Sequence, residues 1–216
     1  KFAAGYEDKV YSVFDGIPGQ LSRKEKRYML SSISKSARFR SYQDSFVWLS
    51  EAMIVNSCFN ATEPSAGLAL SADFTTQKTY MADTGLLVTH ALTNKLFTSN
   101  ELYKAVLFDK IDINEGMIME NVVSQMLRAN GHRLYFYSRN DKENRENNME
   151  IDFLIMVDKK ICPIEVKSAN YRSHSSLDKF KNKFSAKLGE SFILYTKDVN
   201  IKDGIVHLPL YMACFL

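Results

Sequence analysis

The strongest constraint in this chain is a pair of apolar runs with almost nothing between them. "MEIDFLIMV" covers residues 149–157, "DKK" follows, and "ICPIEVKS" runs to Ser168. Both read as strands, with branched residues in period two and a proline near the entry of the second. The connection is far shorter than the dozen or so residues that a parallel crossover needs, so the runs form an antiparallel hairpin. Alternation puts Glu150, Asp152, Leu154 and Met156 on one face, and Met149, Ile151, Phe153 and Ile155 on the other. Glu165 and Lys167 likewise share a face. A two-residue turn pairs Asp152 with either Glu165 or Lys167, according to which residues make it. Either register gathers all three on one face. A three-residue turn without a bulge would pair Asp152 with Val166 and break the set.

Two adjacent carboxylates repel unless a cation lies between them. Magnesium and manganese prefer oxygen ligands, and magnesium commonly keeps several waters. A nearby lysine can orient a metal-bound water or offset charge on a phosphate. Asp152, Glu165 and Lys167 thus form the minimum kit for metal-dependent phosphodiester hydrolysis. The plainer reading is a cross-strand ladder of ion pairs, worth roughly a few tenths of a kcal/mol each.

A helix is expected over 114–130, "NEGMIMENVVSQMLRAN", with Asn114 as N-cap and Gly131 as its stop. On it Met117 and Val123 lie about 60° to either side of Glu120, and Leu127 about 20° away. Glu120 therefore stands within the apolar stripe, where a carboxylate needs a partner. That makes it a candidate further acid of the site. After this helix come "RLYFYSR" (strand), a polar loop "NDKENRENN", the hairpin, a basic helix over about 176–188, the strand "SFILYT" and the apolar tail "IVHLPLYMACFL". Helix, three strands, helix, strand is the order of a mixed α/β (α+β) sheet with helices on its faces.

The N-terminal part reads differently. "YEDKVYSVF" suggests a short helix closed by the turn "DGIPGQ". "SRKE" at 22–25 looks like a capping box opening a second helix to about Ser34. "SYQD" at 41–44 opens a third. Strands "IVNSCFNA" and "QKTYMAD" follow, and "TGLLVTHAL" and "ELYKAVLFD" read as helical connectors. Three helices and a hairpin are the order of a winged helix-turn-helix. Two domains are expected, a winged helix over 1–92 and the sheet domain over 93–216.

The net charge of +3 is too small to argue for nucleic acid, but its distribution is uneven. Arg23, Lys24, Lys26, Arg27, Arg38 and Arg40 crowd one segment, and Lys179 and Lys183 belong to a second cluster. These eight are the candidate phosphate contacts. The alternative is two solvated helix faces. Cys58, Cys162 and Cys214 form no CxxC and sit in apolar runs, so buried free thiols in a reducing, cytoplasmic compartment are expected. His90, His132, His174 and His207 stand alone in sequence, which argues against zinc. No apolar run approaches the ~20 residues of a membrane span, and no secretory leader is visible.

The stretches "ENVVSQML", "LYFYSR", "EIDFLI", "PIEVKS" and "SLDKF" resemble the C-terminal region of a family of predicted prokaryotic AAA-type ATPases. That region is a domain of unknown function and is similar to the PD-(D/E)xK restriction-endonuclease-like superfamily. "IPGQLSRKEKRY", "SYQDSFVWLSEAMIV" and "KTYMADTGLL" resemble the family's winged-helix stretch, so the likeness spans nearly the whole chain. It implies Glu120 as the helical acid, Asp152 as the central acid, and Glu165 with Lys167 as the ExK element. Asp152 and Glu165, with Glu120 as a further ligand, would hold magnesium or manganese. The ATPase module of that family lies upstream. This chain has no GxxxxGK[ST], so no ATP site is expected in it. With Lys1 in place of a starting Met, the chain is expected to be a piece of a longer protein. The expected function is a nucleic-acid-binding, metal-dependent nuclease portion of a larger ATPase, with DNA as the partner. The alternative is an inactive nuclease-fold arm that binds DNA or protein. An oligomerisation region has only the apolar "PLYMACFL" in its favour.

Overall fold

The computed structural model describes residues 3–23, 26–65, 67–92, 114–141, 143–169 and 173–216. Lys24, Glu25, Arg172 and the connector expected over 101–109 lie outside them. The chain divides into two units, Lys1–Ser57 with Lys78–Gln125, and Cys58–Gln77 with Met126–Leu216. Among the described residues no helix is long and apolar enough to cross a membrane.

In the first unit, helix α1 spans Glu7–Leu21 and runs straight through the expected Gly/Pro turn. Val10, Val13, Ile17 and Leu21 recur at helical spacing and are buried. At Gly16 the helix packs closely against Tyr28. A Cβ there would meet the Tyr28 hydroxyl at 2.3 Å. The open notch lets that hydroxyl donate to the Val13 carbonyl at 2.8 Å. Burial pushes the Tyr28 phenol above its usual range. Ser22 therefore closes α1, with its N–H on the Pro18 carbonyl, and does not open a second helix. Among the described residues where the second helix is expected, the one helical segment is a 3₁₀ turn, Leu30–Ser32. Helix α2 covers Phe39–Glu51 with Arg38 as its N-cap, three residues earlier than the capping signal at Ser41 suggests. The remaining helices of this unit are α3, Thr84–Leu92, and α4, Glu115–Ala129, through Gln125. Asn114 caps α4 as expected, its Oδ1 accepting from the Met117 N–H at 3.0 Å.

The second unit carries an eight-stranded mixed sheet. Its strands are β1 Val55–Ala61 (from Cys58), β2 Ala72–Met81 (to Gln77), β3 Leu134–Arg139, β4 Met149–Val157, β5 Lys160–Val166, β6 Phe192–Tyr195, β7 Asn200–Lys202 and β8 Ile205–Pro209. Their order is β2-β1-β3-β4-β5-β6-β8-β7. Strands β3, β4 and β5 form an antiparallel meander, while β1 is parallel to β3 and β6 is parallel to both β5 and β8. The expected wing is thus no free hairpin: Cys58, Phe59 and Asn60 pair with Leu134, Tyr135 and Phe136. Helix α5, Ser175–Phe184, covers one face of the sheet, burying Leu177 and Phe180 among Tyr135, Tyr137, Ile151, Leu154, Ile193 and Tyr195. The tail after Pro209 turns into a 3₁₀ segment and not a core strand. Tyr211, Phe215 and Cys214 are exposed, so of the three free thiols only Cys58 and Cys162 are buried as expected.

Two features set the faces of the hairpin. Asp158 and Lys159 have φ of 46° and 65°, the mark of a two-residue turn with both central residues left-handed. Val157 pairs with Lys160 and Phe153 with Ile164, which sets Asp152 opposite Glu165 in the same register. On the other side of β4, Tyr135 pairs with Leu154 but Tyr137 with Ile151. Two residues of β3 thus span three of β4, a β-bulge at Asp152–Phe153. Alternation resets there, so Ile151 and Leu154 join the same buried cluster. Glu150 consequently lies on the face opposite Ile151 and does not share that of Asp152, correcting the strict alternation read from sequence.

The turn is testable. A left-handed conformation costs a residue with a Cβ about 1 kcal/mol, so Lys159→Gly is expected to raise unfolding stability by about that much. Urea denaturation measures it, and a loss of stability would contradict this turn and its register.

Candidate functional site

Asp152, Glu165 and Lys167 converge on the α5 face of the second unit. Glu165 is 2% exposed, and Lys167 Nζ lies 2.7 Å from its Oε2. Glu165 Oε1 is buried with no hydrogen-bond partner among the described residues. Asp152 Oδ2 accepts from the Val166 N–H at 2.9 Å, which ties the bulged strand to its neighbour. Burial raises the Glu165 pKa, the Asp152 charge adds to the rise, and Lys167 opposes it without cancelling it. A buried, half-satisfied carboxylate beside a second one is an electrostatic liability unless something further binds there.

Histidine reasoning from sequence missed one neighbour of this set. His174 stands at the head of α5, its Nδ1 2.9 Å from Asp178 Oδ2. The four-residue spacing signals the His174–Asp178 pair but not the place of His174 near Glu165. The His174 charge acts on both Glu165 and His207. His207 follows from the register: Glu165 pairs with Ile193 and Ile193 with His207 across parallel strands, so all three share a face. His207 is 5% exposed, and burial lowers its pKa.

Glu120 belongs to the first unit. Its Oε1 takes an ion pair with Lys26, and its Oε2 accepts from the Tyr80 hydroxyl at 3.1 Å. Next to it, Asn121 clasps both the N–H and the carbonyl of Met81. The apolar-stripe argument was therefore right that Glu120 is buried and needs partners. Among the described residues, no three His, Cys, Asp or Glu side chains gather closely enough to hold a metal ion between them.

The expected phosphate contacts divide. Arg23, Arg38 and Arg40 are exposed. Lys26 is committed to Glu120, and the backbone of Arg27 bridges to Lys78. Lys179 reaches the Asn148 carbonyl at 3.5 Å. Lys183 donates to the Tyr137 hydroxyl at 3.2 Å and lies over the Phe184 ring at 4.9 Å.

Two family models match the chain: Domain of unknown function (DUF4143) over residues 115–214, and Domain of unknown function (DUF8612) over residues 4–96. The first covers Glu120, Asp152, Glu165 and Lys167 together. No curated protein and no solved structure matches the chain.

Two outcomes test these environments. A carboxyl whose pKa is raised by folding contributes stability fully below its unfolded value of 4.5 and loses it as pH rises through the folded value. Glu165→Gln is therefore expected to be more stable than the native chain at pH 7.5, with the gap closing toward pH 4 in urea titrations. Equal midpoints at both pH values would show that Lys167 fully offsets burial. Glu120→Ala strands Lys26 and the Tyr80 hydroxyl, and is expected to cost about 3 kcal/mol. A loss under about 1 kcal/mol would show that the pair is solvated.

Proposed function

We propose that this chain is the nucleic-acid-binding, metal-dependent phosphodiesterase portion of a larger ATPase, with its reaction centre at Asp152, Glu165 and Lys167. The observation that carries the reading is the buried Glu165, with Oε1 unpartnered among the described residues, facing Asp152 and flanked by Lys167. The order α4-β3-β4-β5-α5-β6 matches the helix, three strands, helix, strand read from the sequence, and it carries the residues of the PD-(D/E)xK likeness on α4, β4 and β5, with Lys167 directly after β5. The winged-helix assignment has less support, since the middle helix of its three is replaced by a 3₁₀ turn.

The donor set fits a hard divalent ion. Magnesium is commonly held by one or two carboxylates, with waters and substrate phosphates completing its shell. Asp152 and Glu165 would hold it, and the unpartnered Oε1 is the natural first oxygen. Glu120, expected as a further ligand, has Lys26 and Tyr80 on its two oxygens, which supports a structural part for it. When bound, the ion would supply a nucleophilic hydroxide and charge neutralisation at phosphorus. Lys167, with 27% of its side chain exposed, keeps its ammonium at the solvent rim, where it offsets charge on phosphate oxygens. The Val166 N–H holds Asp152 in place, and burial keeps bulk water from Glu165.

A second reading has its own observation. Lys167 closes onto Glu165, as in a module that has kept the fold without turnover and serves as a docking arm. Hydrolysis of labelled DNA and RNA with magnesium or manganese separates the two. Asp152→Ala and Lys167→Ala are each expected to lower the rate by about a hundredfold or more. If the native chain binds DNA in a salt-dependent way but neither cuts it nor differs from the variants, the docking arm is correct.

A further inference from the structure

At the β2 edge of the sheet, within the second unit, Arg133 lies against three aromatic rings. Its guanidinium carbon is 5.4 Å from the centroid of Phe74, 5.6 Å from Phe59 and 5.8 Å from Tyr135. Phe59 and Phe74 meet edge to face at 5.0 Å. Phe59 is opposite Tyr135 in the parallel register, so both present to one face of the sheet. Arg133 is exposed, as is Phe74 at 45%. Among the described residues Arg133 has no carboxylate partner. The acid nearest to Phe74 in sequence, Asp73, spends Oδ1 on the Thr75 N–H and hydroxyl at 2.9 and 2.7 Å. Among the described residues, the arrangement therefore offers a cation with no counter-ion, held by rings, beside an exposed ring.

A structural role explains part of this, because arginine stems often cover aromatic surface. It leaves two things without use: the hydrogen-bonding edge of the guanidinium and the open face of Phe74. Phosphate suits the first, since a guanidinium binds it through parallel hydrogen bonds. A nucleobase suits the second, since any unpaired base presents a π-face that stacks on an aromatic side chain. Both demands meet in one repeat of a single strand. A duplex meets only the first, because its bases are already stacked on one another.

We propose that Arg133, Phe74 and Phe59 form a platform for single-stranded nucleic acid, with Phe74 stacking an unpaired base and Arg133 taking the adjoining phosphate. The proposal deepens the nucleic-acid reading above and rests on it, but it does not depend on hydrolysis.

The test is fluorescence anisotropy of labelled oligothymidylate and of a matched duplex, with metal chelated, at about 50 and about 200 mM salt. Phe74→Leu keeps an apolar side chain and removes the ring. It is expected to weaken single-strand binding by about fivefold to a hundredfold, with the salt slope unchanged. Phe74→Trp is expected to restore binding. Arg133→Ala should weaken binding and flatten the salt slope by about one unit. Duplex binding should change little for the Phe74 variants. The proposal is overturned if Phe74→Leu, with an unchanged melting temperature, binds the oligonucleotide as the native chain does. It is also overturned if both probes weaken equally, if polyglutamate displaces the oligonucleotide as well as itself, or if the native chain binds neither probe. Asp152→Ala separates this from the catalytic reading. It should lower cleavage by about a hundredfold or more and leave oligonucleotide binding intact, so that a native chain with ring-dependent binding but no cleavage sinks only the hydrolase.

Discussion

The hairpin register governs everything chemical in the second unit. A turn of two left-handed residues, Asp158 and Lys159, sets Val157 against Lys160 and, five rungs further, Asp152 against Glu165. One residue more in that turn would send Glu165 to the other face, because side chains on a strand alternate with period two. The bulge at Asp152–Phe153 then performs a second adjustment. It lets β4 present Ile151 and Leu154 to the same core under α5, while Asp152 keeps the face and register demanded by β5. Asp152 thus sits at the point where regular pairing with β3 gives way, and a bulge re-aims a side chain.

The energetics of that face are uneven. Leu177 and Phe180 bury themselves against Tyr137, Ile193 and Tyr195, a packing that needs no further explanation than removal of apolar surface from water. Glu165, beside Ile193 in the register, is buried without a full set of donors. Asp152 raises its pKa further, and Lys167 relieves it only in part. A fold that keeps such a group carries a standing cost, which a bound cation or a proton offsets. The first unit handles its own buried acid differently. Glu120 receives Lys26 and Tyr80, and Asn121 beside it secures Met81, so its polar atoms join the packing instead of opposing it.

Much of the fold was legible because its signals are local. Asn114 and Gly131 bracket α4 since capping and left-handed glycine act within one turn. The strands from β3 to β6 follow from branched residues, polar loops and a turn too short for a crossover. The misreadings came where a distant residue overrode a local one. Gly16 and Pro18 are turn residues by propensity, yet α1 continues through them, with Tyr28 packed into the space a side chain at Gly16 would occupy. Ser22 and Glu25 spell a capping box, but Ser22 is the end of α1. Glu150 looked like a companion to Asp152 until pairing with β3 inserted the bulge.

The sequence alone determined which residues are chemically unusual here: an acid within an apolar helical stripe, and Asp152 with Glu-x-Lys on two strands that must pair. Those conclusions need only periodicity and the solvation cost of charge. Tertiary structure alone decided the register, which choice of turn residues left open between Glu165 and Lys167, and the face of Glu150. It also brought His174 and His207 toward Glu165 and assembled Arg133 with Phe59, Phe74 and Tyr135. Such groupings arise from pairing between distant strands, and no local pattern encodes which strand will be the neighbour.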